Sequence, residues 1–356
     1  MSKVRKVTKQ KIVAVDLFCG AGGLSLGLQA SGIEVAAGID LDPDCRFPFA
    51  TNIRAPFFEK DIKATTGREI KALFGKENFS LIAACAPCQP FSGYSLGRGK
   101  ANKDWALLLE VSRLIMEAQP DFITIENVPR LKFEPIWQTF LEHVERAGYK
   151  IDWSVLDASK YGVPQRRKRL VLLGSKHGPI SLPKPTNEVA LTVRDMIGGL
   201  RTLSAGETDL YDELHSARSL NNMNLARIRQ SKPGENWRSW PKKMKLDCHK
   251  KATGKSFPSV YGRMNWDEPS PTITTQFYGY GNGRFGHPAQ DRAVSLREGA
   301  ILQSFPSDFL FSKSVRGRVR QIGKLIGNAV PPKLAQEIGL AISDHAATIT
   351  LGLVAK

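Results

Sequence analysis

Residues 79–92 read Phe-Ser-Leu-Ile-Ala-Ala-Cys-Ala-Pro-Cys-Gln-Pro-Phe-Ser, and this stretch decides the fold. The apolar run at 79–84 is typical of a buried strand, and it ends in a turn-rich loop that presents the thiol of Cys88. Open α/β sheets place their chemistry beyond the carboxyl ends of parallel strands. Cys88 is therefore a candidate nucleophile, although a thiol with an ordinary pKa of roughly 8.5 must be activated by its surroundings.

The first half of the chain alternates strand and helix signals around this stretch, which predicts a mostly parallel, doubly wound α/β sheet. We predict strands at 12–18, 35–39, 79–84, 122–125 and 169–173, and helices at 24–31, 104–118 and 136–147. The pattern breaks near Pro183-Lys184-Pro185, and an amphipathic helix opens at Pro331-Pro332 and runs to about Ser343. The expected domains are a larger one, 1–185 plus 316–356, and a smaller, irregular one, 186–315.

The charge of the chain is high and unevenly placed. Its 356 residues carry 51 Lys or Arg against 34 Asp or Glu, a formal charge of +17. Residues 227–263 hold eleven bases and two acids, and residues 313–324 hold five bases and no acid. Such clustering favours a polyanionic partner, although a merely soluble basic protein is the plainer alternative.

Cysteine usage and hydropathy point to a reduced, soluble, cytoplasmic protein. The five cysteines form no disulfide-like framework. The polar, basic residues through Lys11 contain no apolar leader and are expected to be a loose tail. No run approaches the roughly 20 apolar residues of a membrane span.

Three features in the first strands indicate a nucleotide-type ligand. Gly20-Ala21-Gly22-Gly23 lies between a strand and a helix, where glycines let a ligand approach free backbone N–H groups. Asp40 ends the second strand, a position that typically takes ribose hydroxyls. Asp61 can accept from an adenine amino group. Each acid alone could be a helix cap or a turn residue, but together they fit a mononucleoside with ribose and adenine.

Cys88 has alternative interpretations and a candidate partner. Cys85 and Cys88 form a CxxC pair, which could be half a zinc site, a redox pair or an inert buried thiol. The chain has no second CxxC, and glycines and prolines follow the pair. Glu126 ends the next apolar strand, so its carboxyl is expected near Cys88, where it could hold or donate a proton. A helix-capping role is the alternative for this acid.

Arg167 and Arg169 belong to the basic run 165–169 that leads into another strand. Because side chains alternate faces along a strand, these two arginines are expected to point the same way. Two guanidinium groups on one side suit a phosphate and a carbonyl oxygen. Taken alone, such a cluster could equally be a solvated basic face.

With these residues in place, the chain resembles the DNA (cytosine-5) methyltransferase family. The matching motifs stand in the family's order and span residues 16 to 331. They are Asp16-Leu17-Phe18-Cys19-Gly20-Ala21-Gly22-Gly23; Asp40; Asp61; Pro87-Cys88-Gln89 with Phe91-Ser92; Glu126-Asn127-Val128; Gln165-Arg166-Arg167-Lys168-Arg169; Arg297-Glu298 followed by Gln303 and Phe305-Pro306; and Gly327-Asn328-Ala329-Val330-Pro331.

The resemblance implies a covalent mechanism on a cytosine that is flipped out of the duplex. Cys88 would add to C6 while Glu126 contacts N3, and C5 would then attack the sulfonium methyl of S-adenosylmethionine. Loss of the C5 proton and expulsion of Cys88 would restore the ring. Arg169 would bind the base O2, and Arg167 would support it or a phosphate.

The resemblance also implies ligand-binding residues and no metal. The implied residues for S-adenosylmethionine are Phe18, Gly20, Gly22, Gly23, Asp40, Leu41, Asp61, Pro87 and Asn328. Those implied for DNA are Gln89, Ser92, Arg98, Thr272 and Thr274, where the alignment leaves Thr272 and Thr274 as alternatives for one element. Apart from the resemblance, the glycine run at 279–283 with Tyr278, Tyr280 and Phe285 suggests a loop whose backbone approaches the target strand, and an ordinary surface loop is the alternative.

The compact chain resembles the stand-alone, prokaryotic type that accompanies restriction systems. This implies a monomeric, bacterial or phage-encoded, nucleoid-associated enzyme that modifies one short duplex sequence and works beside an endonuclease acting on the same site. The region before Arg297 corresponds to target recognition. A tRNA methyltransferase of the same architecture and a DNA-binding regulator without catalysis are the rival interpretations.

Overall fold

The computed structural model describes residues 11–76, 78–87, 106–186, 189–251, 254 and 258–354. Within these residues seven strands form one sheet. The strands are Ile12–Leu17 (β1), Glu34–Asp40 (β2), Phe57–Glu59 (β3), Phe79–Ala84 (β4), Phe122–Asn127 (β5), Lys150–Asp157 (β6) and Lys168–Ser175 (β7). Their order across the sheet is β3-β2-β1-β4-β5-β7-β6.

The helices of the described residues alternate with these strands and continue beyond them. They are Gly23–Ala30 (α1), Arg46–Asn52 (α2), Gly67–Leu73 (α3), Ala106–Ala118 (α4), Pro135–Arg146 (α5), Val193–Ile197 (α6), Asn222–Arg229 (α7), Asp247–Lys250 (α8), Leu296–Leu302 (α9), Val319–Asn328 (α10) and Pro332–Val354 (α11). No helix in this part of the chain has the length and apolarity needed to cross a membrane.

The sheet is mostly parallel, as predicted. β1 pairs in parallel with β2 on one side and with β4 on the other, and β4 pairs in parallel with β5. The strand order therefore reverses beside β1, at the kind of switch point where open α/β sheets bind ligands. One strand departs from the expected doubly wound pattern, because β7 runs antiparallel to β5.

Two interior strands, β1 and β5, are buried over their whole length. All six residues of β1 and all six of β5 are buried, as expected for parallel strands covered on both faces. α1 and α11 pack closely through glycines. A Cβ added at Gly27 would lie 2.4 Å from Ala335 Cβ, and one added at Gly339 would lie 2.1 Å from Ser31 Oγ.

Several elements differ from the sequence prediction. The last helix continues to Val354, well past the predicted end at Ser343. Strands β3 and β6 and helices α2 and α3 were not predicted. β3 has only three residues, and β6 is mostly half-buried or exposed, so neither has the apolar run that marks an interior strand.

The described residues divide into two compact units. The first contains the residues through Leu156, Lys168–Lys184 and the segment from Pro332 onward; the second contains Asp157–Arg167 and Pro185–Pro331. The division at 184/185 lies beside the predicted boundary. Residues 157–167 and 316–331 belong to the second unit, although the prediction assigned them to the larger domain. Gln165 explains the first difference, because its Nε2 donates to Leu302 O at 3.1 Å.

The second unit has its own aromatic core, which includes Ile228, Trp237, Trp240 and Tyr280. Cations lie over some of these rings: the Arg227 guanidinium is 5.4 Å from the ring centre of Trp240. The tryptophans of the basic stretch 227–263 are thus buried structural residues, and the positive charges surround them.

Two glycines of α11 allow a matched test of the α1–α11 contact. Gly339→Ala should lower the free energy of unfolding by about 1–3 kcal/mol, because the new methyl group overlaps Ser31. Gly352→Ala, in the same helix, meets no heavy atom within 4 Å and should be neutral or stabilising by up to about 1 kcal/mol. Urea unfolding followed by circular dichroism would measure both, and equal effects of the two substitutions would contradict the packing.

Candidate functional site

The glycine-rich turn between β1 and α1 bends through residues with left-handed backbone conformation. Gly20 and Gly22 have φ values of 54° and 95°, and Phe18 has φ 59° although it is not glycine. Such a conformation costs a bulky residue on the order of 1–3 kcal/mol and persists where the surroundings enforce it. Among the described residues, apart from its two chain neighbours, no heavy atom lies within 4 Å of a Cβ placed on Gly20. The turn therefore leaves open space beside backbone N–H groups at the start of α1.

The carboxylate of Asp40 is fixed beside this turn at the end of β2. Its Oδ2 accepts from Gly20 N at 2.9 Å, and its Oδ1 accepts from Asp42 N at 2.9 Å. Burial raises the pKa of Asp40, and the hydrogen bonds from these two backbone N–H groups oppose that rise. Both oxygens are thus held in place, and each still has lone pairs available for a ligand.

Asp16 is a buried carboxyl that sequence reasoning did not assign to the site. It is fully buried on β1, and its Oδ2 accepts from the Ser25 hydroxyl at 2.6 Å. Burial raises the pKa of Asp16 to about 7; the Ser25 hydrogen bond opposes this and the charge of Asp40 adds to it. The sequence did contain an indication of this role: Asp16 is an acid inside an apolar strand, shortly before the glycine turn.

The other residues predicted to bind the cofactor lie at different places in the fold. Leu41 follows Asp40 and is 64% exposed. Asp61 is half-buried and accepts from Lys63 N at 2.9 Å, so it caps a short helical turn. Pro87 is half-buried beyond β4, and Asn328 ends α10 in the second unit.

Glu126 lies at the end of β5 with both carboxylate oxygens close to partners. The residue is 3% exposed. Its Oε1 is 2.9 Å from Arg169 Nε, and its Oε2 is 3.0 Å from the Sγ of Cys85. Glu126 was predicted to lie near the loop that follows β4. In the structure it contacts Cys85, three residues before Cys88. Cys88, Gln89, Ser92 and Arg98 themselves lie outside the described residues.

A second hydrogen bond joins the ends of β4 and β5. Asn127 Nδ2 donates to Ala86 O at 3.1 Å, and Asn127 Oδ1 accepts from Val128 N at 2.7 Å. Asn127 is 3% exposed. The backbone two residues before Cys88 is thus tied to the strand that carries Glu126.

The two predicted arginines have different partners. Arg169 is in the first unit, and its largely buried side chain pairs with Glu126. Arg167 is 2% exposed in the second unit, and its guanidinium donates to three backbone carbonyls, those of Ile273, Gly327 and Ala329. Because these bonds occupy its Nη atoms, Arg167 acts in this structure as an internal brace.

The structure distinguishes between Thr272 and Thr274. The Thr272 hydroxyl donates to Arg166 O at 2.7 Å. Thr274 is exposed, and its hydroxyl has no hydrogen bond to the described residues. Thr274 is therefore the better candidate for contact with DNA.

The aromatics around the glycine run at 279–283 pack inward. Tyr278, Tyr280 and Phe285 are 6%, 2% and 3% exposed. A Cβ on Gly283 would lie 2.4 Å from the Phe285 ring, so this glycine is required for packing. These rings pack inside the second unit, and the expectation that the glycine backbone approaches a target strand stays a prediction.

Comparison with known proteins gives one consistent result. A family model described as C-5 cytosine-specific DNA methylase matches residues 12–344. The type II methylase M.HgiDII of Herpetosiphon aurantiacus is 45% identical over 333 residues, which cover 92% of this chain and 94% of that protein. The type II methyltransferase M1.BsuMI of Bacillus subtilis is 33% identical, over 94% of this chain and 81% of that protein.

Solved structures share the fold. A DNA modification methyltransferase encoded within a prophage of E. coli superimposes with a TM-score of 0.72 at 23% identity, over 94% of this chain and 99% of that chain. The Dnmt2 methyltransferase of S. pombe superimposes with a TM-score of 0.57 at 17% identity, over 94% of this chain and 98% of that chain.

The raised pKa of Asp16 predicts a pH dependence of stability. Its folded-state pKa of about 7 exceeds the ordinary value of 3.8, so the folded state binds more protons than the unfolded state between these two values. The contribution of Asp16 to the free energy of unfolding is fully present below pH 3.8 and is lost as the pH rises toward 7. Asp16→Asn removes this titration but keeps an oxygen for Ser25.

The unfolding free energies of the wild type and Asp16→Asn should therefore diverge with pH. The variant should gain roughly 3 kcal/mol relative to the wild type between about pH 5 and about pH 8. Urea denaturation at several pH values would measure this difference. Parallel curves for the two proteins would contradict the buried, weakly compensated carboxyl.

Proposed function

The chain belongs to the C-5 cytosine-specific DNA methylase family and is a DNA cytosine-5 methyltransferase, and we propose that it modifies a flipped-out cytosine in a specific short duplex sequence through covalent attack by Cys88. The observation that carries this proposal is the position of Glu126. Ala84 and Ile125 are register partners on the parallel strands β4 and β5. A buried carboxyl therefore lies beside the loop in which Cys88 follows.

The residues divide the chemistry between them. The thiolate of Cys88 adds to C6 and breaks the aromaticity of the ring, while Glu126 contacts N3 and supplies the proton there. C5 then has enamine character and is nucleophilic toward a methyl donor. After methylation, the N3 proton returns to Glu126, and loss of the C5 proton expels Cys88 and restores the ring. Arg169, beside Glu126, binds the base O2 and orients the carboxyl.

The described residues fit S-adenosylmethionine as the methyl donor. Open space beside Gly20, the fixed carboxylate of Asp40 and the exposed side chain of Leu41 lie together at the ends of β1 and β2. Asp40 would take the ribose hydroxyls, Leu41 would cover the adenine and Asp61 would accept from its amino group. S-adenosylmethionine supplies a methyl group on a sulfonium, which is already activated and needs no metal. Asn328 is proposed to help close this pocket.

DNA binding must both pull the base out of the stack and select a sequence. C6 is inaccessible inside a duplex, so flipping, at a few kcal/mol, precedes the attack. The Lys and Arg side chains of 227–263 and 313–324 would neutralise phosphates, which gives affinity without sequence preference. Thr274 is proposed to contact the target strand. The loop residues Gln89, Ser92 and Arg98 are proposed to hold the flipped nucleotide.

We further propose that the protein is the methyltransferase of a type II restriction-modification system, as the names of its relatives indicate for those proteins. It would protect host DNA against an endonuclease that acts on the same site. It would act as a monomer in the cytoplasm, where the chromosomal DNA is its substrate.

Two substitutions test the roles of the thiol and the carboxyl. Cys88→Ala should abolish methyl transfer to duplex DNA. Glu126→Gln should slow it by about 10²–10⁴-fold, the usual contribution of a positioned acid. Glu142→Gln is the matched control, because Glu142 lies on the surface of α5 in an exposed ion pair with Arg146 and should leave the rate unchanged.

The assay supplies labelled S-adenosylmethionine with either unmethylated duplex DNA or tRNA. Bisulfite sequencing of a plasmid from expressing cells then identifies the modified cytosine and its context. Label found only in tRNA would overturn the assignment of the substrate. Full activity of Cys88→Ala would overturn the covalent mechanism.

A further inference from the structure

The two oxygens of Glu126 have unequal surroundings. Oε2 is 3.0 Å from the Cys85 thiol, which donates to it. Oε1 is buried from solvent and lies 2.9 Å from Arg169 Nε as an ion pair, yet it has no hydrogen bond to the described residues. One oxygen is therefore occupied by a donor, whereas the other has a charge beside it and an open lone pair.

Cys85 is placed by the backbone and has little freedom of its own. Its N–H donates to Leu17 O at 3.3 Å, and the next residue is held by Asn127 Nδ2 through Ala86 O at 3.1 Å. A cysteine side chain has a single torsion before its sulfur. Bonds on both sides of the residue thus fix the Sγ position relative to Glu126.

We propose that Cys85 is a positioning residue for the methyltransferase reaction: by donating to Oε2 of Glu126, its thiol holds the carboxyl group in the orientation in which Oε1 serves the target base. The inference rests on the proposed role of Glu126 at cytosine N3.

The chemistry follows from the donor count of a thiol. A neutral thiol has one proton to donate and accepts hydrogen bonds weakly. The bond to Oε2 of Glu126 uses that proton. Arg169 forms an ion pair with Oε1, so the guanidinium and the thiol together hold the orientation of the carboxyl. The thiol itself exchanges no proton and forms no covalent bond in this role.

This role differs from those already considered for the CxxC pair. Cys85 acts as a hydrogen-bond donor, with no metal, disulfide or nucleophilic attack. Its hydrogen bond should therefore be replaceable by a hydroxyl, which also donates, but not by a methyl group.

The test compares Cys85→Ala, Cys85→Ser and the wild type in single-turnover methyl transfer to duplex DNA. The alanine variant should be slower by about fivefold, the rate equivalent of one neutral hydrogen bond, with KM values for DNA and methyl donor within about twofold of the wild type. The serine variant should recover most of the rate. Cys248→Ala removes an exposed thiol from the second unit and should match the wild type.

The outcomes separate the inference from the proposed function. If the wild type transfers no methyl group to DNA, the proposed function fails. If it does and Cys85→Ala keeps the full rate, or if the serine and alanine variants are equally slow, the positioning role is wrong. Thermal unfolding of each variant identifies a loss that is due to misfolding, and a slow alanine variant with wild-type stability supports the role.

An infrared measurement tests the contact without relying on activity. The S–H stretch absorbs in a region free of other protein bands, and the band that disappears in Cys85→Ala belongs to Cys85. Glu126→Gln should shift that band to higher frequency, because an amide is a weaker acceptor than a carboxylate. A band that stays in place would show that the thiol does not donate to Glu126, and would overturn the inference.

Discussion

The parallel pairing of β4 with β5 is the constraint on which the site depends. It places Ala84 opposite Ile125, so the residues that follow each strand emerge side by side. Glu126 and Asn127 then reach back to Cys85 and Ala86. A shift of one residue in this register would turn the Glu126 carboxyl to the other face of the sheet. The catalytic geometry is thus set by backbone hydrogen bonds inside the sheet.

Three buried or half-buried carboxyl groups near the ends of β1, β2 and β5 are held by different partners, and this gives each a different character. Asp16 has only a hydroxyl, so burial dominates and raises its pKa to about 7. Asp40 accepts from two backbone N–H groups, which oppose the effect of burial. Glu126 has a guanidinium on one oxygen and a thiol on the other. The three carboxyl groups occupy similar strand positions, so the differences between them come from their hydrogen-bond and ion-pair partners.

The sequence predicted most of the fold because the interior strands are continuous apolar runs. It placed Glu126 near the loop after β4, since parallel strand ends meet at one edge. It missed β3 and β6, which lie toward the edges of the sheet and lack such runs. The antiparallel direction of β7 was not predicted, because the direction of a strand depends on the path of the connecting chain and not on its local apolar pattern.

The side-chain partners could not be predicted in the same way. Arg167 and Arg169 are two residues apart, yet one braces backbone carbonyls and the other pairs with Glu126. Alternation along a strand could not anticipate this, because Arg167 precedes β7. The bond from Cys85 to Glu126 likewise depends on register between distant strands.

The most direct test of the account is to locate the covalent bond that the mechanism requires. Duplex DNA with 5-fluorocytosine at the target position cannot lose a proton from C5, so the adduct should persist when S-adenosylmethionine is supplied. Tandem mass spectrometry of the digested adduct should place the modified nucleotide on Cys88. Absence of an adduct, or attachment at Cys85, would contradict the account.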